Sequence, residues 1–183
     1  DTQHAFFFGD ISVDGRLLAL ASGSGVSIRE LPSGRELAVL PVGWAIMVRF
    51  HPNGKELLIS SSPPALGIWP IDRNPSAANR IRLGPPRNLP LPFVPYEFAL
   101  ARDGRTLAMS VVSTREARIM DLDTGIVRDS RFPHLNLDSI ALSPDAQWMA
   151  TAGWYSAQAQ VWNTQTGEPG LNVTGERARV SFT

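Results

Sequence analysis

One phrase, a turn set between two apolar runs, occurs four times in this chain and fixes most of what it can fold into. The copies are Asp10-Ile-Ser-Val-Asp-Gly-Arg-Leu-Leu-Ala-Leu20, Arg49-Phe-His-Pro-Asn-Gly-Lys-Glu-Leu-Leu-Ile59, Phe98-Ala-Leu-Ala-Arg-Asp-Gly-Arg-Thr-Leu-Ala108 and Ile140-Ala-Leu-Ser-Pro-Asp-Ala-Gln-Trp-Met-Ala150. Asp-Gly or Asn-Gly between apolar runs is a strong hairpin marker, because glycine adopts positive φ without a Cβ clash. Pro52 and Pro144 stand one residue before the turn Asn or Asp, where a preset φ helps start the turn. A second phrase lies between the first ones. Val161-Trp162-Asn163 leads into Thr166-Gly167, and Ile119-Met120-Asp121 leads into Thr124-Gly125. Ile68-Trp69-Pro70 and Ser27-Ile28-Arg29-Glu30 are looser copies. Each is a strand running into a tight turn.

The turn residues Gly15, Gly54, Gly104 and Ala146 recur about every 40 to 50 residues. A period near 40 with strand-like segments inside is the spacing of propeller blades. The helical solenoids are set aside because no window sustains a period near 3.6. Each unit divides into four short strands, with units at residues 6–40, 45–83, 96–129 and 137–174. Residues 178–183 read as the opening strand of a further unit. The second strand of each unit is apolar almost without a break, as in Leu57-Leu58-Ile59, which suits a sheet covered on both faces. Residues 84–95 carry five prolines and read as an extended insertion, since proline has no N–H for a central ladder. The predicted fold class is all-β: a β-propeller section of four four-stranded antiparallel blades plus one strand of a fifth.

Composition narrows the function classes. The 183 residues are 43% hydrophobic, enough for a core, and the formal net charge is zero. A balanced charge argues against a nucleic-acid partner or an anionic membrane surface. No cysteine is present, so disulfides and thiolate metal sites are excluded. No apolar run reaches the roughly 18 residues of a membrane span. A cytoplasmic location is the expectation, and the chain beginning at Asp1 reads as one cut from something longer.

Taken together, these residues resemble the WD-repeat β-propellers, the bacterial type in particular. The resemblance rests on Ser143-Pro144-Asp145 with its variants His51-Pro52-Asn53-Gly54 and Arg102-Asp103-Gly104. It rests equally on the third-strand endings quoted above, with Trp69 and Trp162 in the family's buried position. It covers nearly the whole chain. The family often carries a Gly-His pair before the first strand, whose His joins a strand Ser or Thr and the Trp in a polar network. Gly43-Trp44 stands at that place in the second unit, so apolar packing rather than that network is expected to hold the blades. Relatives commonly close with about seven blades. Four blades and a strand therefore imply a section of a larger propeller with two open blade faces. Each face would expose roughly several hundred Å² of apolar surface, worth several kcal/mol to cover at about 25 cal/mol per Å². Self-association through those faces follows as an expectation.

No catalytic constellation stands out. His4, His51 and His134 lie in unlike contexts without metal-ligand spacing. The glycine pairs open no helix, as a phosphate loop would require. Asp121 and Asp123 read as turn carboxylates accepting backbone N–H bonds. No cofactor and no metal are expected. The resemblance places Trp44 and Trp154 at loop–strand junctions on the propeller's narrower face. Trp44, Arg115, His134, Trp154 and Tyr155 are therefore the candidate residues for binding a protein partner, since exposed aromatics and arginines act as interaction anchors. Trp148 is expected between blades.

The leading expectation is a non-catalytic protein–protein interaction scaffold. Similar propellers often belong to larger bacterial signalling proteins such as Ser/Thr kinases, and that association is implied by the resemblance alone. The alternative is a propeller enzyme of lactonase or quinoprotein type. It would need metal or cofactor ligands converging on the axis. Asp10, Arg49, Glu97 and Asp138 are the polar exceptions on the axis-lining first strands, and Glu97 and Asp138 would have to point into one axial cavity that binds Ca²⁺.

Overall fold

A computed structural model describes residues 6–62, 65–73, 81–111, 113–128, 131–134, 136–153, 155, 158–175 and 178–182. Every regular element among them is a strand, and no helix occurs among the described residues. The first sheet is β1 (Phe6–Ile11), β2 (Leu17–Ser22), β3 (Gly25–Glu30) and β4 (Glu36–Leu40). The second is β5 (Ala45–Phe50), β6 (Glu56–Ser61), β7 (Leu66–Asp72), β8 (Arg82–Leu83) and β9 (Arg87–Leu89). The third is β10 (Phe98–Leu100), β11 (Thr106–Val111), β12 (Glu116–Asp121), β13 (Ile126–Val127) and β14 (Phe132–Pro133). The fourth is β15 (Ser139–Leu142), β16 (Trp148–Ala152), β17 (Gln158–Asn163) and β18 (Pro169–Thr174). Each sheet is an antiparallel meander in sequence order, the sheet of a propeller blade. The chain divides into two compact units, Asp1–Val94 with blades 1 and 2 and Pro95–Thr183 with blades 3 and 4.

The outer strand is whole in blades 1 and 4 and split in blades 2 and 3. In blade 2, β8 pairs with Ile71 and Asp72 while β9 pairs with Leu66, Gly67 and Ile68, all on β7. Gly84-Pro85-Pro86 lies between the two pieces, where two prolines can donate nothing to a ladder. The expectation that residues 84–95 form an insertion is thus corrected in part, because Arg87–Leu89 belongs to the blade. In blade 3, Phe132–Pro133 pairs with Glu116 and Ala117 rather than lying in a loop.

The strand-one to strand-two turns share one backbone design with different side-chain caps. In blade 1, Ser12 Oγ donates to Asp14 at 2.7 Å and accepts the Leu17 N–H at 2.9 Å. Ser143, Asp145 and Trp148 repeat the pattern in blade 4 at 2.6 and 2.9 Å. Blade 2 substitutes an imidazole, and His51 Nδ1 accepts the Asn53 N–H at 3.1 Å. Blade 3 has Ala101 in this place, with no hydroxyl to offer. Thr106 makes good the loss from the other strand, donating from Oγ1 to Asp103 at 2.8 Å while its N–H reaches the same carboxylate at 2.9 Å.

Within each unit the blades stack front to back. Residues directly opposite one another across a ladder share a face. Blade 1 therefore shows Ala19, Ala21, Val26, Ile28 and Leu40 on its front. Blade 2 meets it with the bulkier Val48, Phe50, Leu57, Ile59 and Trp69, in one buried cluster. Unit 2 repeats the arrangement. Ala99, Ala108, Ala117 and Ile119 of blade 3 face Ile140, Leu142, Met149 and Trp162 of blade 4. Phe132 packs edge-on against Trp162, with ring centroids 5.9 Å apart. Small front faces thus receive large back faces.

Polar bonds reinforce this packing, which corrects the expectation of purely apolar cohesion. Asp10 Oδ2 on β1 accepts the Phe50 N–H of β5 at 2.8 Å. Glu97, just before β10, accepts the Ile140 N–H of β15 through Oε2 at 3.1 Å. Both are carboxylates of one blade satisfying the innermost strand of the next. Inside blade 4, buried Trp162 Nε1 donates to Thr151 Oγ1 at 2.9 Å. Trp162 is in the core, whereas Trp69 is only partly buried and lies over Gly67 and Gly84. Trp148, expected between blades, is exposed and lies against Gly170 of its own sheet.

Two stability outcomes follow from these contacts. Ala146 holds φ 59° where Gly15 holds 71° in the matching turn, and the left-handed region costs a residue with a Cβ about 1–2 kcal/mol. Ala146→Gly is expected to stabilise by about 0.5–1 kcal/mol and Gly15→Ala to destabilise by a similar amount, both read from urea midpoints. Glu97→Ala strands the Ile140 N–H and is expected to cost about 1–3 kcal/mol, with Glu97→Gln closer to wild type because its amide oxygen still accepts.

Candidate interaction surface

In a meander, the start of the first strand and the turn between the second and third strands lie at the same end of the sheet. In unit 1 that end carries Phe7 near the start of β1, Gly23 in the β2–β3 turn, and Trp44 immediately before β5. Phe7 falls in a bulge. Phe6 pairs with Ser22 and Phe8 with Ala21, which leaves Phe7 without a ladder partner. A bulge re-aims its extra side chain, and here the ring turns outward. Phe7 stacks on Trp44 with centroids 5.2 Å apart and planes inclined 25°. Trp44 rests against the bare backbone of Gly23, where a Cβ would stand 3.4 Å from the indole Cε3. The pair stays open to solvent, with Trp44 58% and Phe7 43% exposed. The result is a two-ring apolar shelf held at fixed geometry by three chain segments.

The corresponding end of unit 2 carries Arg115 in the β11–β12 turn, Tyr155 between β16 and β17, and Tyr96 before β10. Tyr155 is 84% exposed and Tyr96 is also exposed. Arg115 is exposed and holds φ 55°, and its carbonyl accepts the His134 N–H at 3.0 Å. That bond brings two of the expected residues together. His134 itself is buried at 5% exposure, so its ring is not part of an accessible surface and it is withdrawn as a partner contact. The backbone pairing of Phe132–Pro133 with β12, missed from sequence, is what draws His134 inward. Trp154 lies outside the described residues. Phe7 and Tyr96 were not singled out from sequence. Only the bulge register reveals that Phe7, in the run Phe6-Phe7-Phe8, points outward.

The opposite ends of the sheets are polar and serve the turns. Asp121 Oδ1 accepts the N–H groups of Asp123 and Thr124 at 3.1 and 3.0 Å, and Arg105 Nε donates to its Oδ2 at 2.6 Å. These bonds, that from Thr124 first and that from Arg105 next, lower the Asp121 carboxyl to about 2. Asn163 repeats the turn with its amide oxygen, accepting from Gln165 and Thr166 at 2.9 and 3.0 Å. Asp14 is ion-paired with Arg73 across blades 1 and 2, which holds its carboxyl well below the usual range. Asp121 and Asp123 therefore act as turn and ion-pair carboxylates.

Two of the first-strand carboxylates, Asp10 and Glu97, are likewise committed to structure. Glu97 is buried against the Ile140 N–H, and Asp10 holds the Phe50 N–H and meets Arg49 Nη1 at 3.4 Å. Among the described residues, no group of three or more His, Asp or Glu is placed to hold a metal ion. No protein-family model matches this chain, and no curated protein matches it either.

The Asp121 turn has a defined pH response. Its folded pKa lies below the ordinary carboxylate value, so the stabilisation is complete above about pH 4 and lost as pH falls toward 2. Asp121→Asn is expected to flatten the acid limb of the stability–pH curve in that window, read from urea midpoints measured across it.

Proposed function

We propose that this chain is a non-catalytic protein–protein interaction scaffold of the WD-repeat kind. The Phe7–Trp44 shelf carries the proposal. An exposed, rigid aromatic pair is costly to leave in water, and such anchors concentrate binding energy at interfaces. The WD-repeat assignment is supported by Trp162 donating to the strand hydroxyl of Thr151, the bond the family resemblance implies. Tyr155 and Arg115 extend the same kind of surface at the end of unit 2. The region would serve within a larger propeller protein, with signalling the context the resemblance favours. Two of the first-strand carboxylates, Asp10 and Glu97, are engaged in blade-to-blade bonds, which weakens the catalytic alternative.

The test is selection of a random peptide-display library on the immobilised chain. Enriched peptides are expected to bind the Trp44→Ala variant at least tenfold more weakly than wild type, with unchanged circular dichroism and urea midpoint. Peptides that bind wild type, Trp44→Ala and Tyr155→Ala alike would remove the aromatic ends as the binding surface.

A further inference from the structure

The aromatic shelf stands in a charge-free part of unit 1. Residues 6–9, 22–28, 37–48, 57–71 and 88–94 contain no Asp, Glu, Lys, Arg or His. Strand pairing gathers these stretches at one end of blades 1 and 2. Phe6 meets Ser22, Val26 meets Leu40, Ala45 meets Ser61, and Leu66 meets Leu89. Asp14, Glu30, Arg35, Lys55 and Arg73 belong to the opposite end, with Arg35 bonded to Glu30 and Arg73 paired with Asp14. Asp1 and His4, ahead of β1, lie outside the described residues.

Chemistry limits what such a shelf can hold. A charged group seated there would lose water and gain no counter-ion. A strand cannot add to it, because Phe7 and Trp44 stand near the ends of innermost strands rather than along an open outer edge. A helix lays anchors over about 10 Å into a groove, whereas the shelf is one ring pair with centroids 5.2 Å apart. A sugar would stack on the indole but needs several polar side chains for its hydroxyls, and Ser22 and Ser24, in the turn beside Trp44, are bonded to each other. A polyproline II segment meets every condition. Its pyrrolidine rings are uncharged and apolar, its backbone stays solvated without internal bonds, and it is extended before it binds, so little order is imposed on it. Gly23 lies against the Cε3–Cζ3 edge of Trp44, which leaves Nε1–H on the opposite edge as a donor for one of that segment's carbonyls.

We infer that the Phe7–Trp44 shelf takes an uncharged, proline-rich segment of a partner protein, laid across both rings in polyproline II form. The inference rests on the interaction role proposed for the shelf and narrows its partner. The bulge in β1, the bare backbone of Gly23 and the entrance to β5 hold both rings in place before any ligand arrives. A stiff surface meeting a stiff ligand loses little freedom on binding.

The experiment titrates the whole 183-residue chain by calorimetry with a capped, uncharged peptide of about ten residues, mostly proline with alanine and leucine between. Wild type is expected to bind with a Kd of about 10–100 µM that added salt leaves unchanged. Trp44→Ala and Phe7→Ala should each weaken binding at least tenfold with unchanged urea midpoints. Glycine in place of the prolines, or glutamate or lysine in place of the alanine and leucine, should weaken it as much. No binding to wild type, equal binding of the glycine peptide, or equal binding to folded Trp44→Ala would overturn the inference. So would maltohexaose binding that Trp44→Ala abolishes while the proline peptide fails to bind. Should Trp44→Ala alter the fold, the indole N–H signal of Trp44 in proton–nitrogen correlation spectra of wild type replaces it. That signal is expected to move on adding the proline peptide while the signal of buried Trp162 stays, and a Trp44 signal that does not move overturns the inference. If the display selection returns Trp44-dependent peptides that are charged or lack proline, this inference falls while the shelf keeps its role. If no enriched peptide depends on Trp44, both fall.

Discussion

A blade's innermost strand pairs with its neighbour on one edge only, and the N–H groups of the other edge must find acceptors elsewhere. An amide buried without a partner costs about 1–3 kcal/mol, so this edge decides whether two blades can meet at all. Asp10 and Glu97 answer the need within the two units, each reaching over to the next blade. Beside the bond from the Phe50 N–H to Asp10, Ala19 and Ile28 share one buried cluster with Leu57 and Ile59, so the clamp and the meeting of small and large faces occur together. Apolar clusters and carboxylate-to-backbone bonds thus join the blades of each unit together.

Much of this was legible in the sequence because hairpin chemistry is local. Asp-Gly and Asn-Gly turns in three blades and Asp145-Ala146 in the fourth, each followed by an apolar run of strand length, marked the hairpins of all four sheets. The fourth strands were harder to place. Blades 2 and 3 build them from two short pieces each, Arg82–Leu83 with Arg87–Leu89 and Ile126–Val127 with Phe132–Pro133, and periodicity cannot register a strand two residues long. Proline in residues 84–95 read as an insertion between the second and third units. It concealed that Arg87–Leu89 resumes the ladder afterwards.

Candidate site residues divided along the same line. The resemblance placed Trp44 at a loop–strand junction, and it stands immediately before β5, exposed. His134 looked like a loop residue until the pairing of Phe132–Pro133 with β12 brought it inside. The Phe7 shelf depended on a bulge, which the sequence does not announce. Both first strands of unit 1 slip register near their starts, between Phe6 and Phe8 and between Ala45 and Met47. The interblade carboxylates were noticed as polar exceptions on first strands, but their partners are backbone amides some 40 residues away, beyond any local pattern.

The divided outer strands have a counterpart in β18. Proline sits beside β8 and β9 and within β14, so the rims of blades 2 and 3 present only short stretches of free ladder. In blade 4 the outer strand runs six residues, with its single proline at the first position and every residue exposed. A continuous, open edge of this kind is the template on which a stray extended chain most readily adds a strand. During heating or slow refolding, amyloid-type growth would therefore nucleate along Leu171 to Thr174, while the proline-broken rims stay inert.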